Sequence, residues 1–455
     1  MVLHLRRSRM ALGRRTRRIP LYTLVLFILW TLLPFDNTIR QAVRFNFVRL
    51  LDSFSPNSHD RWVSAPPLFP VDLAEDVLVI VKTGYGTRNR LAAWFKALSP
   101  QSQLGDLIII GDYASAPDGR FTYRGQDLPV HDVVNRTLSD LAFSSVLSEG
   151  ASYPRISNYE SLGKAIANGD EEKALHLSQT FGWELDSMKD VSSLELAYEM
   201  FPQKKWYILL DDDTYLVQPS VVALLGHLDA RFPHYLGNAV GDFRARFAHG
   251  GSSIILSQGA MRVLFDENPD SVSTAHVESL TTIWGDRLIA RALVRSGVFL
   301  EERYSHFFSG EPPRLSKLRA DRMCSPIVTF HKLSDPSDML DVGKRFETVD
   351  KPFEWARLWD VYGDPSLWRQ GIAEARQDWD HVGNPDEAVA TIHGVKTVEK
   401  CARHCAKYAR TCLAWTWDSV SKDCHVSPWM IVGKESKGKI SGINAKRAKR
   451  LAQAC

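Results

Sequence analysis

The chain has 455 residues, 44% of them hydrophobic and 24% charged, with a formal charge of +3 from 56 basic and 53 acidic residues. That length calls for at least two folded units, and no internal repeat or low-complexity block interrupts it. The positive charge is local: Arg6, Arg7, Arg9, Arg14, Arg15, Arg17 and Arg18 precede any acidic residue, and taking these seven away leaves 49 basic against 53 acidic residues, a net of −4. The remainder has no basic bias, so no nucleic-acid partner is expected.

In chain order, the basic tail 1–18 runs into 19–35 (IPLYTLVLFILWTLLPF), which carries no charge. Its 17 residues reach the lower limit for a membrane-spanning helix. No small-x-small cleavage site follows, so the segment reads as an uncleaved signal anchor, with a cleaved signal peptide as the alternative. The arginines hold the N-terminus in the cytosol and place the rest in the lumen, a single-pass type II arrangement. A short span suits the thin membranes of the endoplasmic reticulum and Golgi. Residues 36–74 hold Ser-Pro, Pro-Pro and Phe-Pro turns without sustained periodicity and read as a stem.

Val77–Lys82 (VLVIVK) and Leu107–Gly111 (LIIIG) are short apolar runs of the kind buried on both faces of a parallel sheet, and residues 90–98 between them have helical spacing. Trp206–Leu210 is a third such strand, and Leu194–Met200 reads as a helix stopping before Pro202. This order argues an α/β sheet, whose ligands bind beyond the carboxyl ends of the strands. Thr83, Asp112 and the triplet Asp211, Asp212, Asp213 all lie at such ends. Three adjacent carboxylates at a buried strand end repel one another and call for a divalent cation that carries phosphate oxygens on its other face. An Asp-rich turn is the plain alternative. The segment 346–377 is rich in Trp and Phe and is expected to cover the catalytic body.

The cysteines are Cys324, Cys401, Cys405, Cys412, Cys424 and Cys455. In an oxidising lumen such a cluster forms disulfides rather than a zinc site. Asn135-Arg-Thr137 is an N-glycosylation acceptor that fits the same compartment. Residues 398–406 read as a helix with Cys401 and Cys405 on one face, inside a unit (378–455) too small to do without staples.

Five segments occur in order: 77–84 (VLVIVKTG), 206–216 (WYILLDDDTYL), 249–257 (HGGSSIILS), 284–286 (WGD) and 328–331 (VTFH). Together they resemble a fungal member of glycosyltransferase family 31, the Fringe-like and core-1-type β-1,3-glycosyltransferases, over roughly residues 75–340. The resemblance implies a GT-A-like (Rossmann-like) catalytic domain and inverting transfer of a hexose or N-acetylhexosamine, galactose being the first guess. The donor is a UDP-sugar, the acceptor a glycan or glycoprotein hydroxyl, and the product a β-1,3 bond.

It further implies that Asp213 and His331 hold Mn²⁺ or another divalent cation, with Asp211 or Asp212 turned to the nucleotide. His249 is the rival imidazole. Asp286 is the implied general base, although Gly285 stands where the family has an acid and Ala290 where it has Gly; a helix N-cap is the structural alternative. Thr83, Arg88, Asp112, Lys189, Gly250 and Gly251 fall to the donor side, with Trp183, Arg244 and Arg246 as weaker candidates. For Lys189 a solvated side chain is the default.

The cysteine spacing around Ala414–Trp417 (AWTW) resembles a PAN/apple domain, a small disulfide-rich α+β module that implies the pairs Cys401–Cys424 and Cys405–Cys412. Cys324 and Cys455 then either bridge the module to the catalytic domain or leave a free thiol. A membrane-tethered glycan-binding protein with a degenerate transferase domain, and a metal-dependent phosphohydrolase, are the competing readings.

Overall fold

The structure is a computed structural model. It describes residues 24, 28, 30–54, 60–98, 102–115, 120–142, 153–363, 375–408, 410–453 and 455. Most of the expected anchor 19–35 lies outside these residues. Among the described residues no helix is long and apolar enough to cross a membrane.

The larger unit, the body, is built on β1 (Val77–Lys82), α1 (Arg90–Ala97), β2 (Asp106–Gly111), β3 (Val130–Asp132), α2 (Val133–Ala142), α3 (Pro154–Ala167), α4 (Glu171–Met200), β4 (Trp206–Asp211), β5 (Tyr215–Leu216), β6 (Tyr235–Gly237) and β7 (Ile254–Ser257). It continues through α5 (Gln258–Phe265), α6 (Pro269–Ser279), α7 (Gly285–Arg295), β8 (Thr329–Phe330) and α8 (Pro336–Phe346). The main sheet runs in the order β3-β2-β1-β4-β7-β6. Its first four strands are parallel, and β7 is antiparallel to both neighbours.

The apolar runs form strands because both faces are covered. Val77, Val79, Val81, Leu107, Ile109, Ile208 and Leu210 enter one core, while Leu78, Ile80, Ile108, Ile110, Tyr207 and Leu209 enter the other. This strict alternation is the pleat of a strand read on two buried sides. Helix α4 feeds both cores, Leu185 and Met188 on one side and Val191, Leu194 and Ala197 on the other. It is 30 residues long, and the expected helix 194–200 is only its end. With apolar residues spread around the axis, α4 shows no single stripe for a sequence to reveal.

Two regions differ from the sequence reading or complete it. The stem 36–74 is not unstructured: it carries a helix, Thr38–Phe54, and its later part packs on the body. Asp60 is 7% exposed, lies 2.6 Å from His306 Nε2 and accepts from Trp62 Nε1, while Val63 and Leu73 enter the main core. These anchors sit too far apart, among turns, to show periodicity. The aromatic segment after α8 does cover the body, with Phe353, Trp355 and Trp359 buried and Ile327 N–H bonded to the Phe353 carbonyl at 2.8 Å.

The C-terminal unit has β9 (Arg376–Asp380), β10 (Ala390–Ile392), α9 (Val398–Lys407), β11 (Ala414–Asp418), β12 (Cys424–Ser427), β13 (Lys434–Ile443) and α10 (Ala445–Ala452). Its antiparallel sheet runs β9-β13-β11-β12-β10. Helix α9 lies on that sheet through the bridges Cys401–Cys424 and Cys405–Cys412, around a small core that includes Trp415 and Trp417. These are the pairs that the resemblance implies. The third bridge, Cys324–Cys455, ties the unit to the body and answers the question left open by the spacing. Leu318 and Arg319 also pair with Met430 and Trp429, and Met430, Val432 and Ala448 join the main core.

Candidate active site

The site forms where the parallel strands end. The end of β1 places Lys82, Thr83 and Gly84; the end of β4 places the Asp triplet; and α4 supplies Ser178, Trp183, Asp186 and Lys189. Together with Gly86, Thr87, Arg90 and Asp112 they line a cleft of about 210 Å³. Strand β5, just after the triplet, pairs antiparallel with β8, setting Tyr215 opposite Phe330. That register brings the residue after β8, His331, back onto the triplet.

His331 Nε2 lies 3.2 Å from Asp213 Oδ1. Asp211, Asp213 and His331 each offer a ligand atom, all within 4.8 Å of one another. Asp213 Oδ2 accepts from Ser334 Oγ at 2.7 Å, whereas the buried Oδ1 has no hydrogen bond. A buried carboxylate oxygen left without a donor beside an imidazole nitrogen is what a cation site offers. Ligands on one ion with bonds of about 2.1 Å stand roughly 3 Å apart, so the pair is already at coordination spacing. The residues present fit a divalent cation of the manganese class. His249, the rival, lies outside this group, its ring 5.3 Å from that of His331 and its Nδ1 2.9 Å from Ser252 Oγ.

The other two aspartates are held differently. Asp212 Oδ2 accepts from Thr83 and Thr87 at 2.7 and 2.6 Å, and Arg90 reaches its Oδ1 at 3.2 Å. Burial pushes the Asp212 carboxyl up to about 6 despite these donors. Burial acts the same way on Asp213, but the neighbouring His331 and Ser334 outweigh it and hold that carboxyl down at about 2. Asp211 Oδ1 lies 3.1 Å from Lys82 Nζ, which also meets Asp190 Oδ1 at 3.1 Å. Burial would lower the Lys82 pKa, yet Asp190, Asp211 and Asp186 together raise it, so this ammonium stays charged. Asp190 itself is pushed by burial up to about 7.

Asp286 lies in the first turn of α7, whose N-cap is Trp284, so it is not the cap. Its Oδ2 accepts from Gly250 N–H at 2.9 Å and its Oδ1 from Arg287 N–H at 2.8 Å. The turn at Gly250 and Gly251 joins this carboxylate to the cation cluster. A Cβ on Gly251 would stand 2.2 Å from His331 Cε1, so only glycine permits the approach. Thr214 Oγ1 and Thr329 Oγ1 tether the turn by donating to the carbonyls of Gly251 and Ser252, each at 2.7 Å. Ser253 follows with φ 74° and ψ 150°, a region nearly reserved for glycine, and Lys332, after His331, has φ 62°. Strained backbone therefore flanks both loops that meet here. A Cβ on Gly285 would in turn strike Asp190 Oδ2 at 2.3 Å, so Asp190 packs directly beneath the start of α7.

Several sequence candidates take other places. Arg88 turns from the cleft to pair with Glu171, its guanidinium 3.7 Å from the Tyr85 ring centre, and Arg90 occupies the cleft instead. Both arginines follow β1, Arg88 in the turn before α1 and Arg90 at its first position, and that placement decides which faces inward. Lys189 is 2% exposed rather than solvated, bound to the Thr83 carbonyl at 2.9 Å and to Asp186 at 2.6 Å. Asp112 is buried too, accepting from Tyr85 N–H at 2.8 Å, with its other oxygen 3.5 Å from Lys189. Trp183 lines the cleft and stays 55% exposed. Arg246 is bound to Glu302 and the Gly241 carbonyl, and Arg244 lies over Phe243 at 5.3 Å; neither lines the cleft. Asn135 is exposed on α2, while Thr137 of the same acceptor triplet is buried.

Sequence reasoning missed Lys82, Asp186 and Asp190. A lysine closing an otherwise apolar buried strand was a usable signal, as were Asp186, Lys189 and Asp190 at helical i, i+3 and i+4 spacing.

Comparison with known proteins adds to this geometry. The family described as Fringe-like matches residues 164–359, and the PAN domain family matches residues 380–440. A stretch of 103 residues is 29% identical to the Homo sapiens protein "Chondroitin sulfate glucuronyltransferase", covering 22% of this chain and 12% of that protein's length. Strands β1 to β3 precede residue 164, yet they form one sheet with β4, so the structural unit begins near Val77. The chain thus carries a Fringe-like domain followed by a C-terminal PAN domain, an assignment that supports a glycosyltransferase.

Proposed function

We propose that the protein is an inverting, metal-dependent glycosyltransferase. In this reading it moves a hexose or N-acetylhexosamine from a UDP-sugar to a hydroxyl of a glycan or glycoprotein, forming a β-1,3 bond. The observation that carries the proposal is the buried Asp213 oxygen that accepts no hydrogen bond and lies 3.2 Å from His331 Nε2, with Asp286 reached across one glycine turn. A divalent cation held by Asp211, Asp213 and His331 would neutralise charge building on the departing diphosphate.

The protein's own groups do the rest. The acceptor oxygen bonds to the anomeric carbon while that carbon's bond to the diphosphate oxygen breaks, and the acceptor proton goes to Asp286. Gly250 N–H and Arg287 N–H fix the orientation of that carboxylate. Lys82 holds Asp211 through a 3.1 Å ion pair, and Trp183 offers an exposed ring to the donor. Galactose is the first donor to test. Glucuronate is the second, because the similar human protein is named a glucuronyltransferase.

The arginine-flanked run 19–35 supports a type II anchor in the Golgi or endoplasmic reticulum, with the cleft lumenal. The three disulfides suit that compartment. The PAN domain, fixed to the body by a covalent bridge, is suited to holding an acceptor glycan at constant distance.

The test is a panel of UDP-sugars, read as sugar transfer and as hydrolysis, with and without Mn²⁺. Transfer that requires the ion and disappears in Asp213→Ala and Asp286→Ala supports the enzyme. Tight glycan binding untouched by both changes, with no turnover of any donor, would establish the glycan-binding reading instead. Phosphate released from simple monoesters would favour the phosphohydrolase.

A further inference from the structure

Helices α2, α4 and α6 pack on the second core through Val133, Val191, Leu194, Val272 and Ala275. Where they meet, each contributes one side chain to a cluster: Asp140, Glu195 and His276. Each of the three offers a ligand atom, all within 4.8 Å of one another, and none of them lines the cleft. His276 Nε2 lies 3.3 Å from Glu195 Oε2 and 4.0 Å from Asp140 Oδ2. Ligands on one ion with bonds of about 2.1 Å stand roughly 3.4 Å apart at tetrahedral angles, so Glu195 and His276 already have that spacing. Asp140, with a side chain 46% exposed, is free to close the remaining gap by a small rotation.

The imidazole is the informative member. His276 is 5% exposed, yet its Nε2 makes no hydrogen bond, and neither does the buried Glu195 Oε2 that it faces. The other ring nitrogen sets the tautomer. Thr137 Oγ1 gives its one proton to the Val133 and Met188 carbonyls, at 3.0 and 2.8 Å. Ser192 is therefore the donor in its bond with Thr137, and its oxygen accepts from His276 Nδ1–H at 3.5 Å. Nε2 then turns a lone pair toward a carboxylate, a contact that a cation between the two satisfies. Arg136 does not supply it: its Nε lies 3.4 Å from Glu195 Oε2 without a hydrogen bond, and its Nη2 donates to Glu199 Oε1 at 2.5 Å. The cluster opens on a cavity of about 600 Å³ lined by four carboxylates, Asp140, Glu195, Glu199 and Asp266, and, among the described residues, by no lysine or arginine. That lining gives a cation both a negative potential and a way in.

We propose that Asp140, Glu195 and His276 form a second divalent-cation site, separate from the cleft, whose ion pins α2, α4 and α6 to one another. One imidazole with two carboxylates suits a borderline cation, Zn²⁺ first. Helix α4 also carries Asp186 and Lys189 of the cleft, so the ion steadies the element on which the cleft is built. The inference does not depend on what the cleft catalyses.

The test uses the full chain with Asp213→Asn and His331→Gln, which take the cleft cluster out of the count. Zn²⁺ binding is measured by equilibrium dialysis with metal analysis, and thermal unfolding is followed at rising Zn²⁺. The expected result is one bound equivalent and an unfolding midpoint that rises with Zn²⁺. Adding Glu195→Gln or Asp140→Asn should weaken binding at least about 10-fold. Asp140→Asn alters a side chain that is nearly half exposed, so the test stays readable even where Glu195→Gln fails to fold; near-UV circular dichroism checks both. A chain that binds no Zn²⁺ overturns the inference. Binding of equal affinity with and without the Glu195 and Asp140 changes also overturns it and places the ion elsewhere. A midpoint indifferent to Zn²⁺ but lowered by Glu195→Gln overturns it in favour of a plain ion pair. No sugar donor or acceptor enters the measurement, so the transferase reading can fail without touching this result.

Discussion

The cleft and the PAN domain solve opposite problems. The cleft gathers charge where the protein is most buried: Lys82, Lys189, Asp112, Asp190, Asp212 and Asp213 are all 9% exposed or less. Bringing such groups out of water is costly, and a pair of lysines threaded among the carboxylates only offsets that cost. The large two-sided core of the α/β sheet bears the strain. The PAN domain has little core of its own and holds its shape by two local bridges and a third to the body. Where a core is large, it can carry destabilising chemistry; where it is small, covalent links take over.

The sharpest way to break this comparison is at Asp213. Asp213→Asn keeps the bond from Ser334 and removes one cation ligand and one buried charge. Transfer should fall by at least about 10⁴-fold, some 5 kcal/mol of barrier, while unfolding free energy falls by only about 2 kcal/mol, the share that a carboxyl held at about 2 contributes at neutral pH. A matching loss of stability in guanidinium titrations would show that the charge is structural instead.

Lys82→Met removes the ammonium between Asp190 and Asp211 and leaves two carboxylates facing each other. Stability should fall by about 3–5 kcal/mol, with Lys82→Arg recovering part of it. Chemical denaturation of the three proteins checks this. Equal stability of Met and wild type would mean that the lysine is not needed to offset the cluster.

His381 lies where the PAN domain meets the body, its ring 5.5 Å from that of Trp359 and its Nδ1 3.2 Å from the Ile431 carbonyl. Burial pushes this imidazole down to about 4. The unfolded chain, with a histidine near 6.5, therefore binds more protons between these values. The resulting stability is present above pH about 6.5 and lost as pH falls to about 4, about 3 kcal/mol in all. A plot of stability against pH should flatten over this window in His381→Gln.

The smallest effect belongs to the shortest loop. Replacing Cys405 and Cys412 by serine opens a bridge with a sequence separation of 7, costing about 2 kcal/mol with transfer unchanged in the folded fraction. Thermal unfolding followed by donor turnover on the same samples checks both halves of that expectation.

The parallel strands were legible in the sequence because burial on both faces demands unbroken apolar runs such as VLVIVK. The small module was legible because clustered cysteines announce staples. The Asp triplet was legible because adjacent carboxylates at a strand end have few other uses. Less was visible wherever a residue's role depends on a distant partner. Helix α4 hid its length because two cores share it. Lys189 looked like a surface lysine until the fold set Asp112 and Asp186 around it. Arg88 sits in the turn before α1 and Arg90 at the start of the helix, a difference of direction that no local pattern shows.

By itself, then, the sequence determined the layered α/β class, the acidic strand end, the cysteine-rich unit and the basic, apolar start of the chain, since each is written in local composition and period. Tertiary structure set His331, which the family resemblance had implied, beside Asp213, and it alone decided that Lys82 joins Asp211 to Asp190 and that Cys324 joins Cys455. Those pairings span 118, 108 and 131 positions of chain and follow from strand register and packing, which no local pattern encodes.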